Sequence, residues 1–157
     1  ETFKAFSLSD FGAIPTKFEL NSLSIFSQKY LMRLSFCDIE GELNDLRIPK
    51  DLQLDFWDMA KENISKRTDL NGLWYLCSEG VEPLIAEGDK DFITVCKKLM
   101  PKEPRDQNSW SAWTNSIKSE TSRSGKNLFL PLRRALTGQD TGPDMKKLFP
   151  LMQKIRF

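Results

Sequence analysis

KNLFLPLRRALTGQDTGPDMKKLFPLM, residues 126–152, is the stretch from which the rest of the chain can be read. Pro131 has no amide hydrogen and a fixed φ, so it belongs in the first turn of a helix, and Gly138 suits a left-handed stop; the helix between them is short, about PLRRAL. Gly142 and Pro143 repeat the start signal for a last segment, with Met145, Leu148 and Leu151 inward and an interruption at Pro150. Two short helices therefore flank TGQDTG at 137–142, a loop of small and polar residues that lets backbone approach a ligand closely. The start of the second helix offers unpaired amides to an anion or a base edge, with Arg133 and Arg134 one turn back. The planar guanidinium forks to a base edge or stacks on it, which suits single-stranded RNA. The plainer reading of the same residues is a tight helix-helix turn with one arginine stem packed on the core.

Outward from this stretch, charge is unevenly distributed. The whole chain has 23 Lys+Arg and 22 Asp+Glu, a formal net charge of +1. After Glu120 there are 8 basic and 2 acidic residues, 8 − 2 = +6, and before it 15 and 20, 15 − 20 = −5. The tail cations are Arg123, Lys126, Arg133, Arg134, Lys146, Lys147, Lys154 and Arg156, an electrostatic footprint of phosphate binding or else a solvated basic face. The chain has no histidine. That removes Ser/His/Asp triads, Cys/His dyads, HExxH zinc sites and every histidine general base. A chain of this size that begins at Glu1 without methionine and lacks that chemistry reads as a binding module or a fragment. Cysteines 37, 77 and 96 contain no close pair, so buried thiols in a reducing compartment are expected rather than a disulfide framework or zinc knuckle. Apolar runs such as LFLPL are too short to span a bilayer, and no signal-peptide pattern opens the sequence; a cytoplasmic protein with no metal site is expected.

Apolar spacing predicts helix almost everywhere. From an Asn21 cap, Leu23, Phe26, Tyr30 and Leu34 share a face. Pro49 and Asp51 open a segment with Leu52, Phe56, Met59 and Ala60 on one stripe and Trp57 beside it. Asp69 caps a helix through Leu70, Leu73, Trp74 and Cys77 that stops at residues 78–80, and Asp89 starts another with Phe92, Val95, Cys96 and Leu99. Pro101 and Pro104 end that helix, and PKEPRDQN at 101–108 is the linker candidate. Asn108 or Ser109 caps a helix carrying Trp110, Trp113 and Ile117; SETSRSGKN at 119–127 breaks it. The tryptophans offer stacking surfaces for bases, but their shared stripe with Ile117 reads as core. Acidic pairs Asp55/Asp58 and Asp89/Asp91 read as helix starts and wet faces. With no strand alternation and no repeat, the expected class is all-α.

The run from Leu128 to Gly138, followed by Gly142-Pro143-Asp144-Met145, resembles the LFxPLRxALTGxxxGPxL pattern in the C-terminal region of bacterial glutamyl-tRNA synthetases, class I enzymes. SLSDFGAIPTKFELNSLSIFSQKYL at 7–31 is similar to the segment that follows their catalytic half. Asn63-Ile64, Asp69-Leu70, Trp74, Lys102-Glu103-Pro104 and Trp110-Ser111-Ala112-Trp113 resemble the alphaproteobacterial branch. The likeness is strong in 107–152 and loose between 35 and 100. It implies an anticodon-binding region in two parts: residues 1–100 a helical bundle connecting to a catalytic half, and 105–157 the anticodon-reading subdomain. Carried over by position, the anticodon contacts are Arg133, Gly142, Pro143, Met145 and Lys146. Arg123, Lys126, Arg134, Lys147 and Lys154 are then the expected phosphate contacts.

The same resemblance implies tRNA(Glu), and tRNA(Gln) in some relatives, as partner of a monomer with no membrane attachment. It implies ATP and Mg for a full-length parent, whose HIGH and KMSKS motifs are missing here, so that this stretch alone is inactive. Two departures stand out. Asn63 occupies the register of an arginine that reads the anticodon in many relatives, with Lys66 and Arg67 nearby, and Asp144 carries a negative charge suited to a first helical turn. Ile64-Ser65-Lys66-Arg67 imitates a KMSKS loop but lies between two helical stripes with no Rossmann alternation before it. The rival reading is a non-catalytic helical protein-interaction domain with a basic surface.

Overall fold

A computed structural model describes residues 20–157, with side chains from Leu23 onward. Residues 7–19 of the similar N-terminal segment and the side chain of Asn21 lie outside the described part. The elements in order are α1 (Leu20–Leu31), α2 (Glu40–Asp45), α3 (Gln53–Ala60), α4 (Asp69–Glu79), α5 (Lys90–Lys98), α6 (Ser109–Thr121), α7 (Lys126–Thr137) and α8 (Met145–Leu148). Short 3-10 turns lie at Phe36–Asp38, Glu87–Asp89 and Phe149–Leu151. No strand occurs among the described residues, and the all-α class holds.

The buried side chains form one cluster from Leu31 to Met152. Phe56 and Trp57 of α3, Leu70 and Cys77 of α4, Phe92 and Cys96 of α5, Trp113 and Ile117 of α6, Leu132 of α7 and Leu148 of α8 all enter it. α5 packs on both α6 and α7, and α3 packs on α8. At the middle, the Trp113 indole stacks on Phe149 with centroids 4.9 Å apart. Its Nε1 donates to the Cys96 carbonyl at 3.0 Å. The tryptophan stripe is therefore core, as its helical spacing indicates.

The 101–108 stretch is tied down by two residues. The Asp106 carboxylate accepts from the Asn108 and Ser109 amides and from the Ser109 hydroxyl, so Asp106, not Asn108 or Ser109, caps α6 with its side chain. These bonds favour the charged form and hold the Asp106 carboxyl below its ordinary range. Arg105 lies beneath, its guanidinium over the Phe149 ring at 5.2 Å, and donates to the Met152 carbonyl and to Glu103.

Several helix boundaries and faces differ from the expectation. α7 begins at Lys126 instead of Pro131, after Gly125 at φ 52°, and Pro131 lies inside it. The carbonyl that Pro131 leaves without an amide partner, that of Asn127, accepts from Arg123 Nη1 at 3.4 Å. Gly138 ends α7 in the left-handed conformation, φ 67°. The Asp69 carboxylate takes the amides of Ser65 and Lys66 ahead of α4 rather than capping that helix. α5 does start directly after Asp89, as expected, although the Asp89 carboxylate binds Arg123 rather than a first-turn amide. Of the face expected for α1, Leu23, Phe26 and Tyr30 are exposed among the described residues, while Leu34, just past the helix end, packs against the core and Leu31 enters it. Periodicity marks an apolar face without saying what lies against it. α2 was not foreseen; it is fixed by buried Ile39 and Leu43 and by Gln53, whose Nε2 donates to the Ile48 carbonyl and to Asn44 Oδ1, both at 2.9 Å.

Candidate nucleic-acid interface

The C-terminal half of α7, the 138–143 loop and α8 form one assembly. The segment from Val81 to Ile85 runs past the end of α7, and the Leu84 amide donates at 3.1 Å to the Arg134 carbonyl, which also accepts from the Gly138 amide at 2.9 Å. From the preceding turn Arg133 reaches over the loop, and its Nη2 donates to the Pro143 carbonyl at 3.0 Å. Its Nη1 is buried with no acceptor and lies 3.6 Å from where a Cβ on Gly142 would stand. Arginine and the Gly-Pro pair, ten residues apart in sequence, are thus one unit. Gly142, at φ 143°, supplies a backbone conformation that residues with side chains rarely adopt.

Pro143 and Met145 are buried and anchor the turn in the core, while Gly142, Asp144 and Lys146 stay exposed. Asp144 caps α8, its Oδ1 accepting from the Lys146 amide at 2.9 Å. A carboxylate in that position is favoured by the unpaired amides of the first turn.

The expected phosphate ligands are mostly engaged with carboxylates. Arg134 forks to Asp140 through Nε at 2.5 Å and Nη2 at 2.8 Å. This pairing holds the Asp140 carboxyl below its ordinary range and raises Arg134. Arg123 lies 4.3 Å from the centre of the Phe92 ring and 2.6 Å from Asp89. Lys147 pairs with Glu62 at 2.7 Å and Lys154 with Glu79 at 3.2 Å. Among the described residues Lys126 and Lys146 have no carboxylate within salt-bridge distance. Three of the four pairs join the acidic first part of the chain to the basic tail, so the charge split also serves to dock the tail. Arg123 is the structural one, since it also supports the Pro131 gap. The exposed lysine pairs are exchangeable, because such surface bridges contribute only about 0–1 kcal/mol.

The KMSKS-like tetrapeptide forms the turn between α3 and α4. Ile64 is buried, and Arg67 is paired with Glu42, which raises the guanidinium further above its ordinary value. Asn63 donates to the Met59 carbonyl at 2.8 Å and finishes α3. Ser65 is half-buried and Lys66 and Arg67 are exposed on this turn, which joins two α-helices with no strand before it among the described residues. Among the described residues no group of three or more His, Cys, Asp or Glu is placed to hold a metal, and no helix is long and apolar enough to cross a membrane.

Arg105 and Asp106 are the positioning residues that sequence reading missed. The D-x-N-S run before an apolar stripe is the local signal that could have found Asp106, whereas Arg105 depends on a partner 47 residues away.

Fold and surface together define a helical module with a glycine-proline turn clamped by arginine and bordered by lysines. Its sequence is similar to that of the glutamate–tRNA ligases over their C-terminal region. No family model matches the chain. It is 45% identical over 156 residues to glutamate–tRNA ligase 2 of Ruegeria sp. (strain TM1040) and 45% identical over the same length to glutamate–tRNA ligase 1 of Ruegeria pomeroyi. Glutamate–tRNA ligase 1 of Roseobacter denitrificans is 39% identical. In each case 99% of this chain is covered, and the chain spans 35% of the relative's length.

Proposed function

We propose that this chain binds tRNA(Glu) and reads its anticodon, as the recognition region of a glutamate–tRNA ligase. The observation that carries the reading is the Arg133 bond to the Pro143 carbonyl, which joins the arginine and the Gly-Pro turn of the similar motif into one surface element. Arg133 sets the turn, Gly142 lets a base approach the backbone, and Lys146 stands at the edge. Met145 contributes from beneath by fixing the turn. Lys126, Arg134 and Lys147 supply phosphate contacts, the last two by exchanging a surface carboxylate for a phosphate. Residues 105–157 form the reading part and 1–100 the connection to the catalytic half.

In the full-length protein, ATP with Mg would activate glutamate before its transfer to tRNA. In this reading the stretch is inactive alone; among the described residues no group of three or more His, Cys, Asp or Glu is placed to hold a metal. The parent works as a cytoplasmic monomer; a parent that also charges tRNA(Gln) would bind that tRNA through this same surface. The test is binding of tRNA(Glu) and of anticodon-substituted tRNA(Glu) at low salt. A preference for the native anticodon is expected, and equal binding of both would refute anticodon reading.

A further inference from the structure

α8 is a single turn, Met145–Leu148, and runs straight into the 3-10 turn Phe149–Leu151. A helix that short has no stability of its own, so its placement is set from outside. Met145, Leu148, Phe149, Leu151 and Met152 are all buried, which fixes how deep the segment lies. Apolar contact is non-directional and leaves rotation and tilt less determined. Directional bonds at either end supply those. At the near end Arg133 donates to the Pro143 carbonyl. At the far end Arg105 lies across the Phe149 ring and donates to the Met152 carbonyl, and the Gln153 amide donates to the Cys77 carbonyl at 2.7 Å.

Packing alone does not account for an arginine at position 105. Its side chain is 5% exposed, its carboxylate partner Glu103 is 62% exposed, and its Nε is buried without an acceptor. An apolar side chain of similar length would keep the contact with Phe149 without the desolvation that a buried charge costs. What such a side chain could not make is the bond to the Met152 carbonyl. The backbone that carries Arg105 is itself fixed, since the next residue, Asp106, caps α6. Rooted beside that cap, the guanidinium is a stationary post.

We propose that Arg105 is a positioning residue for anticodon reading: it holds α8 from the far end as Arg133 holds it from the near end, so that Met145 and Lys146 are presented at a fixed angle. The assignment rests on the anticodon reading proposed above. Arg105 itself touches no RNA and acts only through the placement of α8.

The experiment uses the chain as it stands with two RNAs, the anticodon stem-loop of a glutamate tRNA and the same stem-loop with its anticodon bases substituted. Arg105→Met keeps the apolar length over Phe149 and loses the donor. Its preference for the native stem-loop should fall roughly threefold to tenfold below that of wild type, with the melting midpoint unchanged or raised. Arg105→Lys restores a donor for the Met152 carbonyl and should recover most of the preference. In the free protein the amide resonances of Met145 to Leu148 should shift in Arg105→Met and return toward their wild-type positions in Arg105→Lys. Full preference retained in Arg105→Met would overturn the assignment. So would equal losses in both substitutions with lowered melting midpoints, a pattern that belongs to stability alone. If wild type binds the two stem-loops equally, the anticodon reading falls and this role of Arg105 with it.

Discussion

Arg133 donates to the carbonyl oxygen of Pro143 at 3.0 Å and thereby ties the last full turn of α7 to the entry of α8. With Nη2 on Pro143 and Nη1 buried, a guanidinium so placed would act on a bound RNA chiefly through the shape of the turn. Arg133→Ala should weaken tRNA binding and relax anticodon preference by about 1–3 kcal/mol, whereas Lys147→Ala should act evenly on all tRNAs and lower the salt slope by up to about one. Titrations of cognate and anticodon-substituted tRNA at several salt concentrations check both. Equal losses for the two tRNAs in Arg133→Ala would remove Arg133 from specificity.

The Arg134–Asp140 fork gives a pH prediction. Because Asp140 titrates below its ordinary value of 3.8, its contribution to stability is fully present above that value and is lost as pH falls through the lower folded value. Carboxyl NMR should show Asp140 titrating below the ordinary aspartate range, returning to it in Arg134→Ala. Asp140→Asn frees Arg134 and should strengthen binding to tRNAs of any anticodon, seen as a steeper salt dependence by about one.

Trp113→Ala should destabilise the chain by about 3–5 kcal/mol, since it removes a buried indole stacked on Phe149. Trp113→Phe keeps most of the apolar volume but leaves the Cys96 carbonyl without its donor, at a cost of about 1–3 kcal/mol. Urea melts monitored by circular dichroism measure both. A loss under 1 kcal/mol for Trp113→Ala would contradict its central place.

Burial pushes the Cys77 and Cys96 thiols up to about 12, while Cys37 is exposed. At mildly alkaline pH a thiol reagent should modify one cysteine per native chain quickly and the other two only after denaturant is added. Cys37→Ser should abolish the fast phase.

Two glycines should respond in opposite directions to alanine. Gly72 lies within α4 with nothing within 4 Å of an added Cβ, so Gly72→Ala should stabilise by about 0.5–1 kcal/mol. Gly80 has φ 65°, and a Cβ there would stand 2.8 Å from the Lys154 carbonyl oxygen, so Gly80→Ala should destabilise by more than about 1 kcal/mol. Thermal melting distinguishes them.

The parts legible from sequence are those with a local cause. Apolar repeats at three and four residues gave the stripes of α3 to α6, and Gly138 gave the end of α7. The motif spacing brought Arg133 and Gly142-Pro143 to attention, although only the fold shows them in contact. What escaped depends on distant partners. Pro131 reads as a helix start because its missing hydrogen bond is visible locally, while the Arg123 donor to the Asn127 carbonyl is not. The same holds for Arg105 beneath Phe149, for the exposed residues of the α1 face, and for Lys147, whose carboxylate is 85 residues away.

Those long-range carboxylates alter what an RNA-binding measurement counts. A phosphate arriving at Lys147, Lys154 or Arg134 must first evict Glu62, Glu79 or Asp140. Added salt discourages the arrival and at the same time loosens the resident pair, so the two effects oppose each other. On the proposed function the salt slope would therefore understate how many phosphates the surface touches, and the evicted acids, left facing the backbone of the RNA, would oppose any polyanion that lacks a base to offer the rest of the surface.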